Sequence, residues 1–138
     1  MRVIESTIDT DGTVTNVPQP WTRDTLAAAL AEYRYQKEIA GISVSGIPIS
    51  TERGDHRTVM HTIRTEARAN AEFVAPLKTS VGFVSLDAEA ILSVTDAMLW
   101  YINACFVRES QLLTAMAATE NLDAIAAQME TGWPTQEF

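Results

Sequence analysis

Four side chains have the chemical type that catalysis or metal binding requires: His56, His61, Cys105 and Glu109. A metal site needs ligands on one face, whereas His56 and His61 lie five positions apart, about 140° around a helix. A catalytic thiol needs an accessible, electropositive setting, whereas Cys105 lies within an apolar helical stripe. We therefore predict one surface and one partly buried histidine, a buried thiol, and no catalytic, cofactor-binding or metal-binding residues.

Glu109 belongs to the same apolar stripe, where a carboxylate would need a partner such as Arg34, Lys37 or an N–H group. No second carboxylate for general acid–base chemistry is evident. The chain has no nucleophile elbow, phosphate-binding loop, dinucleotide-binding glycine motif, zinc-protease motif or Cys-x-x-Cys pair. The Arg-Gly-Asp tripeptide at residues 53–55 is interpreted as the turn that begins a helix. The sequence therefore predicts a protein that is not an enzyme.

The composition favours a folded domain that does not bind nucleic acid. Of 138 residues, 46% are hydrophobic and 20% are charged, which is enough apolar surface for a core. The net charge of −8 disfavours nucleic-acid binding, because phosphates require a basic surface. Residues 80–138 hold eight acids and a single base, Arg108. This acidic region is interpreted as a solvated face or as a surface for a basic partner.

The sequence predicts no targeting or membrane segment. Residues 1–6 include Glu5 and lack the apolar core of a signal peptide. The longest apolar stretch, residues 91–107, contains Asp96, whose burial in a bilayer would cost a few kcal/mol. We therefore expect a soluble helix, no membrane partner and synthesis in the cytoplasm.

Three β-hairpins are predicted from turn signals between short apolar runs. The segments are residues 1–17, 42–50 and 73–86. The first has an Asp-Gly turn at residues 11–12, and the third turns near residues 80–82. In the second, a Ser45-Gly46 turn places four apolar residues on one face, namely Ile42, Val44, Ile47 and Ile49. This register puts Pro48 opposite Ser43, which is tolerated only at a sheet edge.

Apolar residues at helical spacing predict four helices. Thr22 is a good N-cap for the first, which should end at Gly41, and Asn121 and Gly132 should bound the last. The second spans residues 55–71. Its inward residues should be Val59, Met60, Ile63 and Ala67, and its outward residues Arg57, Arg64 and Arg68.

The third helix, residues 87–118, would be about 48 Å long, which exceeds what the core of so small a monomer can cover. One apolar stripe contains Ile91, Thr95, Met98, Ile102, Cys105, Glu109, Leu112 and Met116. An adjoining stripe contains Leu92, Leu99, Phe106 and Leu113. Two stripes predict packing within the chain or against a partner chain, and a break near residues 108–110 is the alternative. Together the elements predict a single α+β domain in which helices, including one long C-terminal helix, pack with short β-hairpins.

Five groups of residues follow one another along the chain at characteristic spacings. They are residues 33–38, 42–53, 77–79 with 82–87, 104–106 with Glu109, and 132–134. Taken in order, they resemble a bacteriophage tail-associated family, the domain of unknown function catalogued as DUF4376. The resemblance covers about residues 24–134. It implies an α+β domain over residues 18–134, preceded by a hairpin segment at residues 1–17.

Members of that family are encoded in phage tail regions, often after a segment similar to tail-fibre assembly proteins. The resemblance therefore implies a non-enzymatic virion protein that acts through protein–protein contacts as a baseplate or tail-fibre component. The alternative is a tail-fibre assembly chaperone that is absent from the mature particle. Expected partners are other phage tail, baseplate or fibre proteins and a second copy in a homo-oligomer. No cofactor is implied, and the expected location is the virion tail after synthesis in the cytoplasm of the bacterial host.

Seven apolar residues are predicted as interaction or core surfaces. They are Ile47, Ile49, Leu99, Ile102, Phe106, Leu113 and Trp133. If the long helix needs a partner chain, the isolated protein should be an oligomer. Phe106→Asp should then give an unfolded protein or a soluble monomer.

Overall fold

Short antiparallel hairpins alternate with helices along the chain. The computed structural model describes residues 4–138, with the side chains of all of these except residues 4, 5 and 15–18. The elements are β1 (Ile4–Ile8), β2 (Val14–Pro18), α1 (Arg23–Glu38), β3 (Ile42–Val44), β4 (Ile47–Ile49), α2 (Asp55–Ala69), β5 (Val74–Thr79), β6 (Gly82–Asp87), α3 (Ala88–Ala117) and α4 (Leu122–Ala127). Within the described residues each hairpin is a separate two-stranded sheet. The predicted small, single α+β domain with one long helix is confirmed.

The chain forms two compact units. The first comprises the residues up to Arg34 together with Arg108–Gly132, and the second comprises Tyr35–Val107 with Trp133–Phe138.

The first unit begins with the hairpin of β1 and β2. Ile8 pairs with Val14, and the turn closes through the Asp9 N–H, which donates to the Thr13 carbonyl at 2.8 Å. The Thr13 N–H donates to Asp11 Oδ1, and this bond lowers the pKa of Asp11. The predicted Asp-Gly hairpin is confirmed over the described residues, and residues 1–3 of the predicted segment lie outside them.

Helix caps and buried apolar residues define the rest of the first unit. The Thr25 N–H donates to Thr22 Oγ1 at 3.1 Å, and Asn121 Oδ1 accepts from Ala124 at 3.2 Å, so both predicted N-caps are confirmed. The buried apolar residues of this unit are Leu26, Leu30, Leu112, Met116 and Ile125. Arg23 also donates to the carbonyls of Met116 and Thr119 where α3 ends.

The β3–β4 hairpin has the predicted register. Val44 lies opposite Ile47, and Ser43 lies opposite Pro48. Ser45 and Gly46 have φ values of 49° and 79°, which is the type I′ turn that matches the right-handed twist of two strands. The positive φ at the second position is the reason that glycine suits it.

The C-terminal residues of the chain cover the outer edge of β3. The Ser43 N–H donates to the Gln136 carbonyl at 2.7 Å, and the Phe138 N–H donates to the Ser43 carbonyl at 2.8 Å. The Ser45 N–H donates to the Phe138 carbonyl, and the Phe138 ring packs edge-on against Trp100 with 5.6 Å between centroids. The sequence did not predict this extra pairing.

The β5–β6 hairpin connects through the two-residue turn Ser80-Val81, close to the predicted position. Its register runs from Thr79 opposite Gly82 to Val74 opposite Asp87. Alternate residues on one face are buried, namely Ala75, Leu77 and Leu86. The hairpin therefore covers the core with one face and exposes the other.

Helix α3 is continuous, so the alternative of a break near residues 108–110 is wrong. It begins after Asp87, whose Oδ1 accepts from the Ala90 N–H at 2.8 Å. Each residue of its first predicted stripe is buried or partly buried, so this stripe packs within the chain. The helix is long and apolar enough to cross a membrane by length and composition alone. Since its Tyr101 is fully buried and donates to the Lys37 carbonyl, we interpret α3 as a core helix.

Candidate functional site

An apolar groove opens between α2 and α3 in the second unit. The buried side chains of Met60 and Met98 and the more exposed Leu99 and Ile102 line this α2–α3 groove. Its volume is about 160 Å³. Pockets for small-molecule ligands usually measure about 300–1,000 Å³. The groove is therefore smaller than a usual small-molecule pocket.

Polar side chains form the remaining wall of the groove. Arg64 Nη2 lies 2.6 Å from Asp96 Oδ1, and Arg64 Nη1 donates to Thr95 Oγ1 at 2.6 Å. His61 is exposed beside them, and Arg57 completes the wall. The ion pair fixes the Arg64 side chain across α3, so the wall has a defined shape.

The predicted orientation of α2 is partly wrong. Val59, expected inward, is exposed, whereas Arg57 and Arg64, expected outward, are turned toward the protein. Long arginine side chains can cover apolar surface with their stems while their charged heads reach acids on other elements. Here those acids are Glu38 and Asp96. A helical periodicity that ranks arginine as purely polar cannot anticipate this.

Glu38, the last residue of α1, is a fully buried carboxylate. Arg53 makes a two-point contact with it, from Nε to Oε2 and from Nη2 to Oε1, both at 2.7 Å. Arg57 Nη2 donates to Glu38 Oε2 and to the Thr51 carbonyl, again at 2.7 Å. The hydrogen bonds with Glu38 raise the pKa of Arg53, which also lies over the Tyr35 ring at 5.1 Å from its centroid. This cluster ties the end of α1 to the loop before α2.

Sequence reasoning missed the Glu38 cluster. Glu38 is separated from Arg53 and Arg57 by the β3–β4 hairpin, 15 and 19 residues along the chain, so no short motif or spacing rule brings the three together. The available signal was the family resemblance, because Glu38 and Arg53 end two of its segments, residues 33–38 and 42–53. Within the described residues, Arg57 Nε is the only buried side-chain nitrogen or oxygen atom that lacks a hydrogen-bond partner.

Among the side chains singled out for chemistry, His61 is the one that lines the α2–α3 groove. His56 is partly buried with Nε2 2.8 Å from the Ser50 carbonyl oxygen, His61 is exposed, and Cys105 is a buried thiol outside any disulfide, all as predicted. Burial, and then the neighbouring Cys105, raises the pKa of Tyr101. Across residues 4–138, no three His, Cys, Asp or Glu side chains are grouped to hold a metal ion.

Glu109 finds one of its predicted partners. Its Oε1 accepts from Arg34 Nε at 3.0 Å, and both side chains are largely buried in the first unit. A carboxylate on an apolar stripe is thereby neutralised by a basic residue of α1. This ion pair gives the Glu109 carboxylate a structural role in the first unit.

The predicted interaction residues divide between surface and core. Leu99 and Phe106 are 49% and 43% exposed on α3, and Leu99 lines the α2–α3 groove. Ile49 is buried in the core. The partly buried members are Ile47, Ile102, Leu113 and Trp133. Contact of any of these with a partner remains a prediction.

A larger open groove of about 460 Å³ lies beside β3 and β4. Its charged lining residues Glu52, Lys78 and Glu137 are all exposed. Ligand sites are usually enclosed and mostly apolar, with a few polar groups that converge. This groove lacks that enclosure.

Comparisons with known proteins identify one family. The model of the family described as "Domain of unknown function (DUF4376)" matches residues 22–129, which is more than half of the chain. No curated protein and no solved structure matches.

Proposed function

Since the chain belongs to the DUF4376 family, we propose that it is a non-enzymatic bacteriophage tail protein. It acts through protein–protein contacts as a baseplate or tail-fibre component of the virion. The resemblance to a tail-associated family supplies the phage context. The observation that carries the contact role is the α2–α3 groove with the exposed Leu99 in its lining, together with Phe106, which is exposed about two turns further along the same face of α3.

The magnitude of apolar burial supports this face as a binding centre. Single exposed leucines are ordinary on protein surfaces, but here Leu99 borders a groove whose floor is also apolar. Full burial of a leucine or phenylalanine stabilises a complex by about 1.5–3 kcal/mol each. Association itself costs at least about 4 kcal/mol. Leu99 and Phe106 are already about half covered, so each would contribute about half of that value. Together with one inserted partner side chain they offset the lower limit of this cost, and the rim of the interface must supply the remainder.

The proposal is tested first on the particle. Peptide mass spectrometry of purified, nuclease-treated virions of the encoding phage should recover the protein at several copies per particle. Absence from virions, with recovery from infected lysate bound to fibre protein, would identify an assembly chaperone instead. Absence from both would overturn the tail function.

The contact face is tested by a pair of matched substitutions on α3. Leu99→Asp places a charge in the apolar centre, and we expect it to reduce incorporation into virions by on the order of tenfold or more. Ser93→Asp adds the same charge at an exposed position of the same helix that lies about 120° around from Leu99, so it should leave incorporation unchanged. Circular dichroism checks that both variants fold. Normal incorporation of folded Leu99→Asp would exclude the groove as the binding centre.

A further inference from the structure

Strand β6 presents an open edge of main-chain groups. In a hairpin with a two-residue turn, the pair beside the turn is hydrogen-bonded and the following pairs alternate. Thr79–Gly82 is that first pair, so the N–H and carbonyl groups of Phe83 and Ser85 point away from β5. Within residues 4–138 these outward groups have no hydrogen-bond partner in the structure. We name these four groups the β6 edge.

The other strand edges of the second unit are covered or interrupted. The C-terminal residues bond to Ser43 on the outer edge of β3. Pro48 and Pro76 occupy outward-facing positions on β4 and β5, where each removes the N–H that a docking strand would need. Proline at an edge is a common protection against unwanted strand pairing. The β6 edge has no proline and no covering segment among the described residues.

Apolar side chains flank the β6 edge. Phe83 is 72% exposed, more than any other aromatic side chain whose position is described, and Val81 in the adjoining turn is also exposed. Phe83 and Ser85 belong to the outer face of the hairpin, whereas Leu86 faces the core. An edge of this kind pairs readily with an added strand, which supplies main-chain bonds and covers the ring.

We propose that β6 pairs antiparallel with β6 of a second copy of this chain, about a twofold axis at Val84. The main-chain groups of Phe83 and Ser85 both point away from β5, and Val84 lies between them. A twofold axis at Val84 therefore sets each Phe83 opposite Ser85 of the other copy. Four main-chain hydrogen bonds then form between the copies. The two Phe83 rings become diagonal neighbours on one face, within reach of each other.

The spacing of the β6 edge is self-complementary, so a second copy satisfies all four of its main-chain groups at once, and the register sets no like charges opposite each other. Asp87 falls opposite Val81 of the other copy, so the two carboxylates do not meet although the chain carries a net charge of −8. Lys78, the cross-strand neighbour of Phe83, lies on the outer side of the aromatic pair. The two hairpins then form one four-stranded sheet. This proposed dimer does not depend on the proposed tail function.

The test is the oligomeric state of the full chain by sedimentation velocity over a wide range of concentration. The wild type should be in monomer–dimer equilibrium. Ser85→Pro removes an outward N–H without breaking the β5–β6 ladder, so the monomer should keep its circular dichroism spectrum. Because the donor is lost from both copies, the dissociation constant should rise by on the order of tenfold or more. Ser85→Ala keeps the N–H and is the matched control.

Each outcome decides the proposal. A wild type that remains monomeric, or a dimer that folded Ser85→Pro leaves intact, overturns it. A dimer lost in Phe106→Asp and kept in Ser85→Pro assigns self-association to α3 instead. If Ser85→Pro does not fold, amide exchange on the wild type decides. Protection of the Phe83 and Ser85 amides must then increase with concentration, and its constancy overturns the proposal.

Discussion

At the scale of single residues, Glu38 occupies the most demanding environment described. A buried carboxylate is tolerated only when its charge is compensated and its oxygens accept hydrogen bonds. Arg53 and Arg57 fulfil both requirements for Glu38 with three contacts of 2.7 Å. The carboxylate therefore acts as a structural clamp between α1 and the start of α2.

Glu38→Gln should destabilise the protein by about 2–3 kcal/mol in chemical denaturation. This is less than the cost of breaking a fully buried pair, because Arg53 and Arg57 are 50% and 27% exposed. Glu66→Gln, at an exposed position of α2, is the control and should cost less than about 0.5 kcal/mol. Equal effects of the two substitutions would contradict the clamp.

The two buried acids show what residue-level reasoning can reach. Glu109 was expected to need a partner because it interrupts an apolar stripe, and Arg34 was among the candidates. Glu38 interrupts no such stripe, so the same rule gave no warning of its burial. The helical pattern of α2 likewise assigned Arg57 and Arg64 to solvent, although both form part of the groove wall. Only tertiary structure shows where a flexible charged side chain ends.

At the scale of elements, Gly41 connects α1 to β3 in a crowded position. Its φ is 87°, and a Cβ atom there would lie 3.2 Å from the Ile49 carbonyl oxygen. Its N–H also donates to the buried Thr51 at 2.9 Å. Gly41 therefore combines a left-handed backbone with close approach to β4.

Gly41→Ala should lower the free energy of unfolding by about 2 kcal/mol, from backbone strain of about 1 kcal/mol and a displaced neighbour. Gly46→Ala has a similar φ of 79° but open space around the added carbon, so it isolates the strain. Denaturant titration of both variants measures the difference. A Gly46→Ala variant that is as unstable as Gly41→Ala would show that the contact with Ile49 contributes nothing.

The hairpins were predictable because their signals are local. A two-residue turn and alternating apolar residues set the β3–β4 register, and the structure reproduces each pair. The pairing of Ser43 with Gln136 and Phe138 could not be read in the same way. It joins segments more than ninety residues apart, and residues 135–138 carry no strand pattern. Long-range closure of this kind depends on the whole fold.

At the scale of the whole molecule, the fold class followed from the sequence but the distribution of its surfaces did not. Periodicity gave four helices and three hairpins in order, including a helix of about the right length. It could not decide whether the two stripes of α3 were both internal. The first is covered by the chain, whereas Leu99 and Phe106 of the second remain about half exposed. Which stripe is buried depends on where the hairpins pack against α3. The spacing of apolar residues along the helix does not determine that packing.

The rate at which a thiol reagent labels Cys105 reports how often the folded protein opens. Cys105 is the only cysteine, and its thiol is fully buried on α3, so a thiol reagent can reach it only after the surrounding core opens. For a domain stable by at least about 5 kcal/mol, labelling should be slower than that of an unfolded thiol by roughly a thousandfold or more.

Comparison of the labelling rates of the wild type and Glu38→Gln distinguishes global unfolding from local opening around Cys105. Loss of about 2–3 kcal/mol should accelerate labelling by roughly thirtyfold or more if Cys105 becomes accessible through global unfolding. An unchanged rate would mean that α3 opens locally around the thiol. A side chain with no assigned chemistry in the folded protein thus provides, through its labelling rate, a measure of how often the protein unfolds.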